Sequence, residues 1–282
     1  MRIGVAMFCT EYAIPAVELA VALEERGFDS FWAPEHSHIP VSRGSAFPQG
    51  GSLPNKYFDV MDPFVSLTAA AVATTTLKIA TGICIVPQRD PIQTAKTVAS
   101  LDQVSNGRFI FGVGPGWNAD EMANHGTEFR LRNKVMRERI EAMREIWSND
   151  TAEYHGETLS FEQMQSWPKP KQRPYPPVFV GGGLPHGARR ALAYADGWVP
   201  HARRPEYRLL DRLSEFHDMQ AATGRTIPIT AFGAEHDSTE WLAYSEAGIE
   251  RIVLSIDSEP ASKVIPKLDD WSKHVRVFAD NG

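Results

Sequence analysis

The chain contains little cysteine and no long apolar run. Its 282 residues include only two cysteines, Cys9 and Cys84, which are too few for a disulfide framework. No apolar run approaches the roughly 20 residues that are needed to cross a bilayer. The first residues, MRIGVAMFC, lack the layout of a secretory signal, because their apolar stretch ends within about seven residues. These absences favour a cytoplasmic protein without a membrane segment.

An excess of positive charge is also missing. The 29 Lys and Arg residues are outnumbered by 35 Asp and Glu residues, and the formal net charge is −6. Nucleic acids and anionic membranes attract chains rich in Lys and Arg, so we expect neither as the main partner. No repeat, low-complexity tract or linker divides the sequence. We therefore expect a single domain over residues 1–282, with a small molecule as its partner.

Short β-branched runs alternate with helical stretches along the whole chain. Asp62-Pro63 and Asp90-Pro91 predict two helix starts, because Asp caps free N–H groups and Pro fits the first helical turn. Eight strand–helix units in this length favour an α/β fold of the (β/α)8 TIM-barrel type, with insertions after strand 2 and strand 4. The eight predicted strands lie at residues 3–8, 28–33, 77–83, 108–114, 178–181, 197–200, 227–232 and 251–256.

Histidines and glycines concentrate just after the predicted strands. A barrel of this type carries its reactive groups on those loops, at the C-terminal face. Histidine serves as acid, base or ligand near neutral pH, and glycine lets a ligand approach the backbone closely. The coincidence predicts a site at this rim. Five of the nine histidines lie there: His36, His38, His186, His201 and His236.

Two glycine-rich segments indicate a bound cofactor. Gly181, Gly182 and Gly183 precede a predicted helix, whose free N–H groups and positive dipole end would bind phosphate, although three glycines are also typical of a tight turn. The segment from Gly112 to Trp117 lacks the Rossmann glycine spacing. We expect it to let a planar ring lie against the backbone, with Trp117 either as a wall or as ordinary core.

The most polar cluster at a predicted strand end is Glu35-His36-Ser37-His38. His36 could donate or accept a proton, and we expect Glu35 to orient it. The alternative is a structural histidine that is satisfied within the fold, and this alternative is stronger for His38.

Five sequence blocks, taken together, resemble one protein family. The chain is similar to the bacterial-luciferase-like superfamily, specifically to its actinobacterial branch of oxidoreductases that depend on the deazaflavin coenzyme F420. The blocks are GFDSFWAPEHSHIP (27–40), IATGICIVPQRDP (79–91), SNGRFIFGVGPGWNADE (105–121), PPVFVGGG (176–183) and ADGW (195–198).

The resemblance implies a barrel, commonly dimeric, that holds the cofactor ring at its C-terminal face. It implies a bulge with a non-prolyl cis peptide within Gly82-Ile83-Cys84, which backs the ring. Dimerisation follows from the resemblance alone, since no apolar stripe in the sequence demands it. The implied site comprises phosphate contacts at Gly181, Gly182 and Gly183, contacts on the fourth strand at Val113, Gly114 and Asn118, and a catalytic histidine at His36.

One departure from the family argues against sugar phosphates as substrates. Where sugar-phosphate dehydrogenases of this superfamily carry a proton-donating glutamate on the fourth strand, this chain has Pro115. For contact with another substrate the candidates are His38, Arg43, Trp117 and His201.

We therefore expect hydride transfer between coenzyme F420 and an organic substrate. The first alternative is a monooxygenase of the same fold that uses flavin mononucleotide (FMN) from a separate reductase. A metal-dependent hydrolase is a distant alternative, because its H-x-H motif should follow the first strand and here it follows the second. No metal site is therefore expected. A cofactor-binding protein without catalysis is the last alternative.

Overall fold

Eight parallel strands form a nearly closed barrel in the computed structural model, which describes residues 1–279. They pair in the order β12-β13-β1-β2-β3-β5-β8-β9, and two isolated bridges join β9 to β12. This confirms the predicted (β/α)8 architecture. The barrel strands are β1 (Arg2–Ala6), β2 (Ser30–Ala33), β3 (Lys78–Thr81), β5 (Phe109–Gly114), β8 (Val178–Gly181), β9 (Gly197–Val199), β12 (Thr230–Ala234) and β13 (Arg251–Ser255).

Short strands lie outside this ring, and helices follow the barrel strands. The strand β4 (Cys84–Ile85) pairs with β5, and two hairpins are formed by β6 (Ala152–His155) with β7 (Ser160–Met164) and by β10 (Arg203–Arg204) with β11 (Tyr207–Arg208). The helices are α1 (Ala16–Glu25), α2 (Pro63–Ala73), α3 (Pro91–Val104), α4 (Ala119–Asn124), α5 (Arg132–Ser148), α6 (His186–Tyr194), α7 (Leu209–Thr223), α8 (Ser238–Glu246) and α9 (Ala261–Ala279).

The predicted insertions and helix caps are confirmed. Residues 36–61 form a long loop with one short 3-10 helix, and the second insertion contains α4, α5 and the β6–β7 hairpin. The Asp62 carboxylate accepts a hydrogen bond from the amide of Phe64 at 2.8 Å, which caps α2. Asp90 caps α3 in the same way through the amide of Gln93. Among the described helices, none combines the length and apolar character that a membrane span requires.

Side chains alternate between the barrel interior and the helical layer. On β2, Phe31 packs toward the helices, whereas Trp32 joins the smaller cluster that fills the barrel. Trp32 meets Phe232 edge-on, with ring centroids 6.3 Å apart. These two rings pack together inside the barrel, beneath its C-terminal mouth.

At the opposite end of the barrel, one carboxylate anchors the start of β3. Glu24, at the end of α1, accepts hydrogen bonds from the amides of Thr75, Thr76 and Leu77 at 2.5–2.9 Å. Burial alone would raise the pKa of the Glu24 carboxyl, but these donors and the Thr76 hydroxyl lower the pKa to about 2. The charged form of Glu24 therefore stabilises the folded chain.

We predict that Glu24→Gln lowers the free energy of unfolding by roughly 1–2 kcal/mol at pH 7, because a charge-assisted set of hydrogen bonds is weakened. The folded pKa is depressed, so this stabilisation is present above the unfolded pKa of about 4.5 and is lost as the pH falls toward about 2. Urea unfolding at several pH values should show the deficit shrinking on acidification. Glu25→Gln on the same helix is the control, and an equal deficit in both variants would contradict the assignment.

Candidate active site

Two adjoining cavities open at the C-terminal mouth of the barrel. The first, here named the arginine pocket, has a volume of about 600 Å³ and is lined by Arg132 and Arg190 among others. The second, the aromatic chamber, has a volume of about 430 Å³ and is lined by Phe47, Tyr57 and His36 among others. Both volumes fall within the range of small-molecule sites. The cavities share several lining residues, including Gly82, Ile83, Gly116, Trp117, His201 and Arg204.

Ile83 forms the surface between the two cavities. The peptide bond between Gly82 and Ile83 is cis, which confirms the position expected for the bulge. A Cβ atom on Gly114 would lie 2.7 Å from Cδ1 of Ile83, and one on Gly181 would lie 3.3 Å from its Cγ2. These glycines thus make room for the Ile83 side chain. Gly114 and Gly116 also line the arginine pocket, so the expectation that the fourth-strand glycines leave room for a cofactor ring stays a prediction.

Glu35 holds the segment that carries this surface. Its carboxylate accepts from the Ile85 amide at 2.5 Å and from Nε of Arg89 at 2.6 Å. The side chain is buried, so both contacts form away from bulk water. The expectation that Glu35 orients His36 is therefore wrong, because both of its oxygens face β4 and Arg89. Glu35 ties the end of β2 to β4 instead.

Glu121 is the residue that contacts His36, and the sequence analysis missed it. Nδ1 of His36 lies 2.7 Å from Oε2 of Glu121, and the Ser37 amide donates to Oε1 at 3.0 Å. Burial would raise the pKa of the Glu121 carboxyl, but the hydrogen bond and charge of His36 and the Ser37 amide lower it. A charged carboxylate at Nδ1 fixes the ring orientation and leaves Nε2 to meet a substrate.

Asn118 positions Glu121 and does not line either cavity. Its side-chain oxygen accepts from the Glu121 amide at 3.1 Å and caps α4. Val113 and Cys84 are fully buried among strands and helices, outside the residues that line the cavities. Burial and the nearby Glu35 carboxylate raise the pKa of the Cys84 thiol. The structure therefore places these three residues behind the site, where they support its wall.

His38 and Arg43 lie away from the chamber. His38 is hydrogen-bonded to the Ser37 hydroxyl at 2.9 Å and to the Asn124 amide at 2.8 Å, on the outer side of the loop. The guanidinium of Arg43 lies 4.2 Å above the Phe58 ring, at the exposed surface. Neither lines the two cavities, so the structure does not support the expectation that they contact substrate.

Trp117 and His201 line both cavities, as a substrate contact must. The Trp117 ring lies edge-on to His36, with centroids 5.7 Å apart. The His201 side chain lies at the exposed rim of the mouth, edge-on to the Phe232 ring at a centroid distance of 5.9 Å. Desolvation of its ring and the charge of Arg204 lower the pKa of His201, which favours the neutral imidazole.

The three glycines and two arginines form a cradle in the arginine pocket. Gly182 has φ +130°, and a Cβ on it would lie 3.1 Å from Nη2 of Arg190. Burial and the charge of Arg190 lower the pKa of Arg132. Nε of both arginines is buried without a hydrogen-bond partner among residues 1–279. Two such cations beside a glycine turn are suited to an anionic ligand.

Residues of the metal-hydrolase alternative do not converge on one point. Over residues 1–279, no group of three or more His, Cys, Asp or Glu side chains is arranged to hold a metal ion. His186 lines the arginine pocket, and His36 lies in the chamber beside its Glu121 partner.

Comparison with known proteins gives a match over most of the chain. The model of the family described as luciferase-like monooxygenase matches residues 10–239. An uncharacterised protein of Mycobacterium tuberculosis (strain H37Rv) is 36% identical over 285 residues, which cover 99% of this chain and 98% of that protein. The F420-dependent glucose-6-phosphate dehydrogenase of Amycolatopsis mediterranei is 29% identical over 189 residues, covering 65% of this chain and 52% of the dehydrogenase.

Similarity also extends to solved structures. The monooxygenase RslO1 from Streptomyces bottropensis superposes with a TM-score of 0.74 at 19% identity, and the match covers 99% of this chain and 98% of that one. A likeness at this level of identity supports the barrel fold.

We predict that Glu121→Gln shifts the tautomer of His36, because the amide no longer offers a charged acceptor to the Nδ1 proton. The ¹⁵N chemical shifts of the imidazole should show a smaller population with the proton on Nδ1. Glu35→Gln is the matched control, since this neighbouring carboxylate contacts Ile85 and Arg89. A larger shift with Glu35→Gln than with Glu121→Gln would overturn the corrected pairing.

Proposed function

The chain belongs to the luciferase-like monooxygenase family, and from this membership we propose that it is an oxidoreductase that transfers a hydride between coenzyme F420 and a small organic substrate. The observation that carries the proposal is the cradle of Gly182, Arg132 and Arg190, which adjoins a chamber containing His36. The same chain thus offers an anion site and a proton-exchanging group on the two sides of one surface. The F420 dependence of the Amycolatopsis relative supports the choice of cofactor.

The residues of the arginine pocket fit a phosphate-bearing cofactor. The Arg132 and Arg190 guanidiniums would bind its phosphate, because their charges repel each other and have no carboxylate partner among the described residues. Gly182 lets the phosphate approach the backbone. The ring would lie against Ile83, at the junction of the two cavities. When bound, the deazaflavin supplies a two-electron carrier that accepts or gives a hydride at carbon five.

His36 is the proposed acid–base group. In the direction of alcohol oxidation, Nε2 of His36 would accept the proton of the substrate hydroxyl, and a bound deazaflavin would supply the acceptor for the hydride from the substrate carbon. The substrate loses two electrons and becomes a carbonyl compound. Glu121 stabilises the positive charge that His36 gains, since its carboxylate is 2.7 Å from Nδ1. In the reverse direction His36 returns the proton.

An FMN-dependent monooxygenase is the second candidate function. The description of the matching family and the structural similarity to RslO1 favour it, and a separate reductase would then have to supply the reduced flavin. The same cradle would bind the FMN phosphate. The two candidates therefore differ in cofactor and are separated by direct titration.

We predict that F420 quenches the protein fluorescence saturably and binds at least tenfold more tightly than FMN. Arg190→Ala should weaken binding by about tenfold or more, because a charge-assisted contact worth roughly 1.5–3 kcal/mol is lost. Arg189→Ala is the matched control, since its side chain is on the exposed face of the same helix. Tighter binding of FMN would favour the second candidate, and an equal effect of both variants would contradict the cradle.

Dimerisation gains support from one exposed helix face. Helix α2 presents Val65 and Val72 to solvent, with exposures of 69% and 72%, beside a groove lined also by Ala69 and Val17. This apolar face corrects the expectation that the chain has no such stripe. Exposed apolar patches of this kind are typical of protein interfaces. We assign the face to a second copy of the chain, in a homodimer.

We predict that Val72→Glu converts the dimer to a monomer, because a charge would be buried in an apolar interface. Sedimentation velocity should give twice the mass of one chain for the wild type and the mass of one chain for the variant. Val41→Glu, at an exposed loop position, is the control and should remain dimeric. A monomeric wild type, or a dimer that survives Val72→Glu, would contradict this interface.

A further inference from the structure

The aromatic chamber surrounds His36 with ring faces and edges. Tyr57 and Trp117 lie on either side of it, with centroids 5.3 Å and 5.7 Å from the imidazole. Phe47 completes this group of aromatic side chains: its ring centroid lies 5.2 Å from that of Tyr57 and 5.9 Å from that of Trp117. The centroids of Phe8 and Tyr57 are 4.6 Å apart. The imidazole of His36, which is the proposed acid–base group, is therefore surrounded by the aromatic side chains of the chamber wall.

The loop that carries this wall is fastened to helix α4. The Asp120 carboxylate accepts from the Ser42 hydroxyl at 2.8 Å and from the Gly44 amide at 3.0 Å. The Ser45 hydroxyl accepts from the Ala119 amide at 2.8 Å. Three polar contacts therefore hold the segment just before Phe47 in place, and the chamber has a defined shape before a substrate enters.

Each cation that lines the chamber has a carboxylate partner. Nζ of Lys56 lies 3.4 Å from Asp257, and the Arg204 guanidinium lies 3.3 Å from Glu206. The remaining cation, Arg203, lies 3.1 Å from Glu235 and 3.1 Å from Glu240. The one lining carboxylate, Glu35, is itself paired with Arg89. The local charges cancel, and no cation is left over for an anionic substrate.

The arginine pocket differs in this respect. Arg132 and Arg190 lack a carboxylate partner among the described residues, so excess positive charge is confined to the cofactor side of Ile83. The protein therefore separates an anion-binding half from a neutral half within one mouth.

From this separation we infer that the substrate is an uncharged, largely apolar alcohol or carbonyl compound, and that carboxylates and phosphate esters are rejected. The inference rests on the proposed function, because it names the substrate class of the same site. A carboxylate would lose its hydration on entering a wall of aromatic rings and would find only cations that are already paired. A neutral hydroxyl can donate one hydrogen bond to Nε2 of His36, and a carbonyl oxygen can accept one from Nε2 when that nitrogen carries a proton.

Benzyl alcohol and benzoate are suitable probes, because they share a ring and differ in charge. We predict that ligand-observed NMR titration of the F420-loaded protein gives an affinity for benzyl alcohol at least about tenfold higher than for benzoate, a difference of about 1.4 kcal/mol. Equal or tighter binding of benzoate would overturn the inference. An absence of saturable benzyl alcohol binding would overturn it as well.

Two variants assign the preference to the chamber. Phe47→Ala should weaken benzyl alcohol binding at least about fivefold, since it removes part of the aromatic wall. Phe58→Ala, on the same loop but outside the chamber lining, is its control. Asp257→Asn should raise benzoate affinity severalfold at low ionic strength, because it frees Lys56, and should leave benzyl alcohol within twofold. Identical effects of Phe47→Ala and Phe58→Ala would contradict the location.

The same titrations without F420 separate this inference from the proposed function. If F420 fails to bind while the free protein still prefers benzyl alcohol, the cofactor assignment fails and the substrate class stands. If F420 binds as proposed while benzoate is preferred, the substrate class fails and the cofactor assignment stands.

Discussion

The buried carboxylate of Glu35 is the contact on which the active-site geometry depends. It joins the end of β2 to the Ile85 amide on β4, and Arg89 balances its charge. This tie sets the position of Ile83 between the two cavities. Glu35 also precedes His36 directly in the chain, so the same contact bears on the proposed surface for a cofactor ring and on the position of the proposed acid–base group. Without Arg89, the buried Glu35 carboxylate would keep its charge but lose its ionic partner, which is costly.

Charge is distributed across this surface in a way that fits two ligands of different character. The positive charge of Arg132 and Arg190 has no carboxylate partner among residues 1–279, whereas the cations around the aromatic chamber are paired. The proposed anionic cofactor end and the proposed neutral substrate are both argued from this distribution of charge. Glu121 completes the chamber by holding the Nδ1 side of His36, so that the ring faces the cavity with Nε2.

The sequence predicted the barrel because its strands are buried runs with clear ends, and most observed strands agree within two residues. The seventh strand was predicted to begin three residues too early, at residue 227, because Ile227 and Ile229 extend the apolar pattern. Pro228 has no amide hydrogen to donate, and pairing with β13 begins only at Thr230.

Glu121 was missed because 85 residues separate it from His36 in the sequence. No local sequence pattern predicts how helix α4, which carries Glu121, packs against the end of β2. Glu35 was chosen because it directly precedes His36 in the sequence. In the structure the two side chains have different partners, since Glu35 contacts Ile85 and Arg89 whereas His36 contacts Glu121.

We propose that the cradle and the Ile83 surface together hold one cofactor across the boundary between the two cavities. A crystal structure of the protein with coenzyme F420 tests it most directly. We expect the phosphate in contact with Arg190 and the backbone at Gly182, the ring against Ile83, and carbon five facing the chamber beside His36. A phosphate placed away from both arginines, or a ring that leaves Ile83 uncovered, would show that this arrangement is wrong.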